Sequence, residues 1–286
     1  MEIKLSNVTK RYHKGMRNAL DIEDFAFESG KIYGIVGQNG SGKTTLFKSL
    51  TTIIDSFGEI TYDGVNVHED TTPLSKVGIV LDDLTLYRNW TGRQNIEFFM
   101  TLKHSMDISR VDELAEKLSI KGDLDSKVGS YSLGMTKKLI LLIALIDDVQ
   151  VLILDEPFRG VDRQSTDALT KFIKEEFMSS DKIVLISSHV ANDIESMADT
   201  FVKLDKGKIV ESGKLTLTNY KVKTDQVEEF KTLLKKKDVP YENNEQTFIL
   251  RGIEDDDWNK LLKAAMTAKI SFSNINKISE VEEVLN

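Results

Sequence analysis

Up to about residue 211 the apolar positions mark candidate strands at Ile3–Val8, Ile32–Val36, Val77–Leu81, Val151–Leu154, Ile183–Ser187 and Phe201–Leu204, several of them continuous Val/Ile/Leu runs. Runs of Val, Ile and Leu without polar alternation are the pattern of parallel strands covered on both faces, and here they alternate with helical segments. The pattern predicts an α/β domain. From about Leu84 to Ile146 strand signals give way to helical ones, which predicts a helical subdomain inserted in the α/β core. Within it the apolar run Leu139–Ile146 reads as core. Lys206-Gly207-Lys208 reads as a turn between two short strands.

After Glu211-Ser212-Gly213-Lys214 the pattern changes. Tyr220–Val222 reads as a strand. Asp225 and Glu228 have capping-box spacing, and Val227, Phe230 and Leu234 then share one helical face. Glu242–Glu245 reads as a turn and Thr247–Leu250 as a strand. Trp258, Leu261, Leu262, Ala265 and Met266 keep helical spacing behind an acidic N-cap cluster, Glu254–Asp257. Ile270–Ile275 reads as a strand and Ser279–Leu285 as a last short helix. The order β-α-β-β-α-β predicts a small α+β, ferredoxin-like module over 216–286, after a larger domain over 1–215.

The strand Ile32–Val36 runs into Gly37-Gln38-Asn39-Gly40-Ser41-Gly42-Lys43-Thr44-Thr45, which fits the phosphate-loop pattern G-x-x-x-x-G-K-[ST] at every fixed position. Leu46-Phe47-Lys48 continues as a helix. A Gly-rich turn between strand and helix aims backbone N–H groups at one point, with the positive end of the helix dipole behind them. A nucleotide's phosphates suit that cradle; Lys43 would reach the β- and γ-phosphates and the Thr44 hydroxyl would ligate Mg²⁺. A second signal is Val151-Leu152-Ile153-Leu154-Asp155-Glu156-Pro157, a buried strand ending in two carboxylates. Open α/β sheets bind ligands beyond the carboxyl ends of their strands, so Asp155 and Glu156 should face the phosphate loop. Asp155 would hold Mg²⁺, and Glu156 would orient or deprotonate the attacking water.

Composition narrows the partners. The 286 residues carry a net charge of −8, which argues against non-specific binding to nucleic acid. With no cysteine, disulfides, thiol catalysis and zinc–thiolate sites are excluded. The longest apolar run is eight residues, whereas a transmembrane helix needs about 20, and the start of the chain lacks a signal peptide's apolar core. Any membrane role is expected to come through a partner chain.

Between the two phosphate-site motifs lies Tyr131-Ser132-Leu133-Gly134-Met135, which resembles the ABC signature LSGGQ in the variant form YSLGM. Over about residues 1–215 the chain is similar to the ATP-binding subunit of an ABC transporter, of the type paired with a separate membrane permease. That resemblance implies a P-loop NTPase cassette with a RecA-like core, binding ATP and Mg²⁺ and pairing with a second cassette. It implies a cytoplasmic protein lying peripherally on the inner face of the membrane. It places Tyr12 on adenine, although by sequence alone a sheet-surface tyrosine fits equally. Asp162 falls at the D-loop aspartate and His189 at the switch histidine, as a donor to the γ-phosphate. Asp82 aligns with the Q-loop glutamine, where a carboxylate could still bind Mg²⁺. Ser132 and Gly134, at the N-terminus of a helix, would meet the γ-phosphate bound by the opposite subunit; an ordinary Ser132 helix cap is compatible with that role.

Leu133, Met135, Asp82 and Arg159 depart from the family pattern and bear on turnover more than on ATP binding. A single cassette with a small C-terminal module resembles bacterial ABC-2-type exporters of antibiotics, bacteriocins and other peptides. Two alternatives are a soluble ABC ATPase of translation or DNA repair, and an ATP-binding regulatory subunit with little turnover. The translation type carries tandem cassettes and the repair type a long coiled-coil insertion; this chain has neither.

Overall fold

The computed structural model describes residues 1–13, 15, 17–103, 107–177, 181–215, 218–278 and 281. The chain divides into two compact units, Met1–Ser212 and Gly213–Asn286. In the first, β1 (Glu2–Lys10), β2 (Leu20–Glu28), β3 (Lys31–Val36), α1 (Lys43–Leu50), β4 (Phe57–Tyr62) and β5 (Val65–Asn66) lead to β6 (Val77–Val80). Three helices follow, α2 (Gly92–Lys103), α3 (Ile108–Lys117) and α4 (Leu133–Ala144). Then come β7 (Val151–Asp155), α5 (Arg163–Phe177), β8 (Ile183–Ser187), α6 (Ala191–Glu195), β9 (Thr200–Asp205) and β10 (Lys208–Lys214).

Two sheets organise this unit. One has the order β10-β9-β3-β8-β7-β6, with β9, β3, β8, β7 and β6 all parallel. The strands β7 and β8 are buried at every position, which is why they read as unbroken apolar runs. The other sheet is antiparallel, in the order β2-β1-β4-β5. Sequence patterning marks β1 but not β2, β4 or β5. In β2 only Leu20, Ile22 and Phe27 are fully buried, and Asp21, Glu23, Asp24 and Glu28 on and around the outer face mask the alternation.

The helix behind the phosphate loop is anchored to both sheets. Leu46, Phe47 and Leu50 of α1 share one core with Ile3, Leu5, Ile60 and Tyr62 of the antiparallel sheet and with Ile35, Ile153 and Leu185 of the parallel one. The Tyr62 hydroxyl donates to the Leu50 carbonyl (2.9 Å), closing a C-terminal group that α1 leaves open, and burial pushes its ionisation up. The helices α2, α3 and α4 fill the segment expected to be a helical subdomain, and Leu139–Ile146 is buried throughout.

The second unit runs β11 (Thr218–Lys223), α7 (Val227–Lys236), β12 (Tyr241–Asn244), β13 (Thr247–Ile253), α8 (Asp255–Thr267) and β14 (Asn274–Ile278). Its sheet is antiparallel in the order β12-β13-β11-β14, with each outer strand beside a central one as the β-α-β-β-α-β order requires. Its core joins Phe230 and Leu234 of α7 to Val222, Phe248 and Leu250 of the sheet and to Leu261 and Ala265 of α8.

Four expectations are corrected here. The capping box at Asp225 and Glu228 does not form. Gln226 is the N-cap residue of α7 and its side chain makes no cap; it donates instead to the Lys269 carbonyl (2.9 Å) and accepts from the Ser271 N–H (2.6 Å). The strand expected at Ile270–Ile275 begins only at Asn274. Ile270 closes a Schellman motif: its N–H bonds to the Ala265 carbonyl (2.9 Å) behind Lys269 at φ 59°. The turn expected at Glu242–Glu245 is shorter, since 241–244 pair as β12 and Glu245 takes the left-handed position at φ 52°. Met266 is 74% exposed, because Trp258, Leu261 and Ala265 already fill the buried stripe. The helix expected at Ser279–Leu285 lies outside the described residues, apart from helical Val281.

Phe230 is fully buried and meets Phe248 and Phe272 edge-on at 4.9 and 5.1 Å between ring centroids. Phe230→Ala is expected to destabilise the second unit by about 3–5 kcal/mol. Trp90→Phe leaves Trp258 as the sole tryptophan, so urea unfolding followed by Trp258 fluorescence in that background checks it.

Candidate functional site

The strand β3 ends at Val36, and the loop that follows turns into α1 at Lys43. Gly42 is the N-cap of α1, with φ 115°. A Cβ there would lie 2.7 Å from the Ala19 carbonyl oxygen, so backbone conformation and space both demand glycine. No acidic side chain occupies the first turn of α1, and its N-terminal dipole is left for an anion. Ser41 Oγ is buried with no hydrogen-bond partner among the described residues. The Lys43 ammonium folds back onto the Gly37 carbonyl (2.7 Å). Burial lowers its pKa, against the opposing pull of the Glu156 and Asp155 charges.

Strand pairing delivers the acids. Parallel register sets Asp155, the last residue of β7, beside Ser187, the last of β8. Asp155 is 2% exposed and is satisfied on both oxygens: Thr44 Oγ1 donates to one at 2.7 Å and Ser187 Oγ to the other at 2.6 Å. Glu156 follows at φ 49°, a left-handed conformation that costs on the order of 1 kcal/mol for a residue with a side chain. Its N–H donates to the same Ser187 Oγ (3.0 Å), which holds the turn. The turned Glu156 side chain accepts from His189 Nδ1 at 2.7 Å.

Tyr12, Asn39, Gly40, Ser41, Gly42, Lys43, Thr44, Thr45, Asp82, Asp155, Glu156 and His189 line one cavity of about 420 Å³, together with Ala19 and Arg159. Gly37 is not in the wall; it receives Lys43 from behind. Tyr12 stands at the edge, 53% exposed, its hydroxyl 3.3 Å from Thr45 Oγ1. Asp82 reaches the cavity with its carboxylate already engaged: Arg159 Nη1 is 2.9 Å from one oxygen and Lys137 Nζ 3.5 Å from the other. Among the described residues no group of three or more acidic or histidine side chains could by itself hold a metal ion.

Ser132, Gly134 and Asp162 are not brought to this cavity. They form a second cluster. Ser132 is the N-cap of α4 and accepts from the Met135 N–H (3.1 Å). Asp162 opens α5, taking the Ser165 N–H (2.9 Å) and the Ser165 hydroxyl (2.8 Å). Gly134 lets the two helix starts meet, since a Cβ there would lie 2.6 Å from Ser165 Oγ. Leu133 beside it is 48% exposed.

A family model described as ABC transporter matches residues 20–159. The chain is 32% identical over 210 residues to the lantibiotic transport ATP-binding protein SrtF of Streptococcus pyogenes, covering 73% of this chain and 89% of SrtF. It is 33% identical over 223 residues to the glucose import ATP-binding protein GlcV of Saccharolobus solfataricus, covering 75% of this chain and 63% of GlcV. This chain belongs to the ABC transporter ATP-binding proteins. As an ABC ATP-binding subunit it is an ATPase that powers transport. The fold agrees: a bacterial ABC transporter cassette solved as a dimer superposes with a TM-score of 0.67 at 22% identity, over 74% of this chain and 98% of that one.

Two parts of the site in this ABC ATP-binding protein are not read from its sequence. Ser187 joins Asp155 to Glu156, but strand register is what brings it there; its one sequence signal is its place two residues before His189. The contact between Asp82, Arg159 and Lys137 joins residues from three separate segments. Among the described residues no helix is long and apolar enough to cross a membrane.

Ser187→Ala is expected to orphan the Glu156 N–H and one Asp155 oxygen, and so to lower stability by about 1–3 kcal/mol. Thermal unfolding of Ser187→Ala beside the unmodified protein measures the effect.

Proposed function

We propose that residues 1–215 form the ATP-hydrolysing domain of an exporter, that two such cassettes close on two Mg·ATP, and that a separate membrane permease carries the substrate. The observation that supports this most directly is the 2.7 Å bond from Thr44 to Asp155, which joins the phosphate loop to the carboxyl end of β7 inside one cavity. Those two groups offer hard oxygen ligands. Mg²⁺ keeps several waters and takes one or two carboxylates plus substrate phosphates, so this small donor set fits it. When bound, the ion would screen charge on the phosphates. Asp82, expected with this pair, has its carboxylate committed to two cations.

The chain's own residues then divide the work. Backbone N–H groups from Gly40 to Thr45 and the Lys43 ammonium receive the phosphates, Lys43 exchanging the Gly37 carbonyl for a phosphate oxygen. Glu156 accepts a proton from the attacking water, while His189 orients the Glu156 carboxylate. A non-hydrolysing regulator would have no use for that pair. Tyr12, at the open edge, offers its ring to the base.

The cluster of Ser132, Gly134 and Asp162 lies outside the cavity, which supports a site completed in trans. The N-terminus of α4 presents donors to the γ-phosphate bound by a second cassette, either an identical chain or a paralogue. Association through ATP and release after hydrolysis give a two-state cycle that the helical segment 84–146 passes to the permease. The protein would then work peripherally on the cytoplasmic face of the membrane. Export of a peptide antibiotic or similar amphipathic substrate is favoured by the more complete coverage of the lantibiotic relative than of the glucose importer. No nucleic-acid partner is assigned.

Glu156→Gln is expected to bind Mg·ATP with unchanged affinity, to lose at least about 100-fold in phosphate release, and to elute as a dimer with ATP. Phosphate release within a few-fold of the unmodified protein would take Glu156 out of the catalytic role.

A further inference from the structure

Two residues that depart separately from the family pattern are partners in the structure. Asp82 places a carboxylate where a neutral side chain is usual, and Arg159 places a guanidinium just beyond β7, where a small polar residue is commoner. Their side chains meet at 2.9 Å on the wall of the nucleotide cavity. The Arg159 side chain is 63% exposed, and among the described residues Asp82 is its one side-chain partner. Its backbone is fixed, with the Arg159 N–H closing a turn onto the Glu156 carbonyl (3.2 Å). The side chain is therefore tethered next to the general base while its guanidinium remains exposed.

Charge decides what this arrangement can do. The cavity wall sets three carboxylates, Asp82, Asp155 and Glu156, against two cations, Lys43 and Arg159, with Lys137 beside Asp82. Removing the guanidinium would leave a triphosphate facing more negative charge. A guanidinium has five N–H donors in a fixed fork, and Asp82 engages one nitrogen. An exposed carboxylate pair is weak, and a terminal phosphate offers more charge and more acceptor oxygens than a carboxylate does. Lys137, 8% exposed on α4, stands 3.5 Å from the other Asp82 oxygen and helps fix the carboxylate that holds the guanidinium.

We propose that Arg159 is a phosphate-contacting cation of this site, and that Asp82 is the positioning residue that holds one guanidinium nitrogen over the cavity while the remaining N–H donors meet the terminal phosphate of ATP. This rests on the nucleotide site proposed above. It assigns Asp82 to arginine rather than to the metal. It also makes the site selective: ADP, lacking the terminal phosphate, offers the remaining guanidinium donors no partner.

The experiment is calorimetric titration with Mg·ATP and Mg·ADP of the full chain and of Arg159→Ala, Arg159→Lys, Asp82→Ala and Asp82→Glu, each in the Glu156→Gln background to prevent turnover. Arg159→Ala is expected to weaken ATP at least tenfold and ADP less than twofold. Arg159→Lys should recover part of the ATP affinity. Asp82→Ala should lose part of the preference for ATP over ADP, and Asp82→Glu should restore it. If Arg159→Ala shifts both nucleotides equally, or neither, the assignment is wrong. If Asp82→Ala changes both nucleotides alike and Asp82→Glu restores nothing, the positioning role is wrong. A parent protein that binds neither nucleotide overturns the nucleotide site itself, a distinct outcome from a parent that binds both while Arg159→Ala leaves their ratio unchanged.

Discussion

The Asp155 carboxylate is the point on which the first unit converges. It is almost wholly buried, and a buried charge is tolerable only if its lone pairs are met. Thr44 meets one oxygen from the helix behind the phosphate loop, and Ser187 meets the other from the neighbouring parallel strand. Three segments far apart in sequence are thereby fixed to one another. The same Ser187 hydroxyl takes the Glu156 N–H and stabilises the left-handed turn that aims Glu156 at His189. The electrostatic demand of one acid thus sets the geometry of the next.

The two sheets fix where the loop sits. Because α1 is packed into a core that belongs to both, its N-terminus cannot drift from the ends of β3 and β7. Gly42 carries the cost of that closeness: the chain must approach the Ala19 carbonyl in a conformation closed to other residues. The Lys43 ammonium bonds the Gly37 carbonyl, and burial lowers its affinity for a proton.

The second unit shows how far helix termini control where strands start. Both of its helices end in the same device, a residue at positive φ followed by a bond back to the last turn: Asp238 with Val239 to Leu234, and Lys269 with Ile270 to Ala265. At Ile270 the device consumes an apolar residue that otherwise reads as strand. Gln226 then ties the start of α7 to the end of α8, a use of its amide that local capping rules do not anticipate.

The amino-acid sequence by itself determined the nucleotide loop, the strand-tip acids, the helical insertion and the order of elements in the C-terminal module. Each of these is a local signal: glycine spacing dictated by backbone conformation, unbroken apolar runs dictated by burial on both faces, and 3.6-residue periodicity. Tertiary structure alone decided that β1 belongs to a separate antiparallel sheet with β2 and β4, because the sign of that assignment lies in pairing and not in any one strand. It alone brought Ser187 to Asp155 and Arg159 to Asp82, since parallel register and the meeting of distant loops are set by packing across the whole sheet. It also set Ser132, Gly134 and Asp162 together outside the cavity, at the meeting of two helix starts. Helix caps satisfy their own backbone groups wherever the fold happens to carry them.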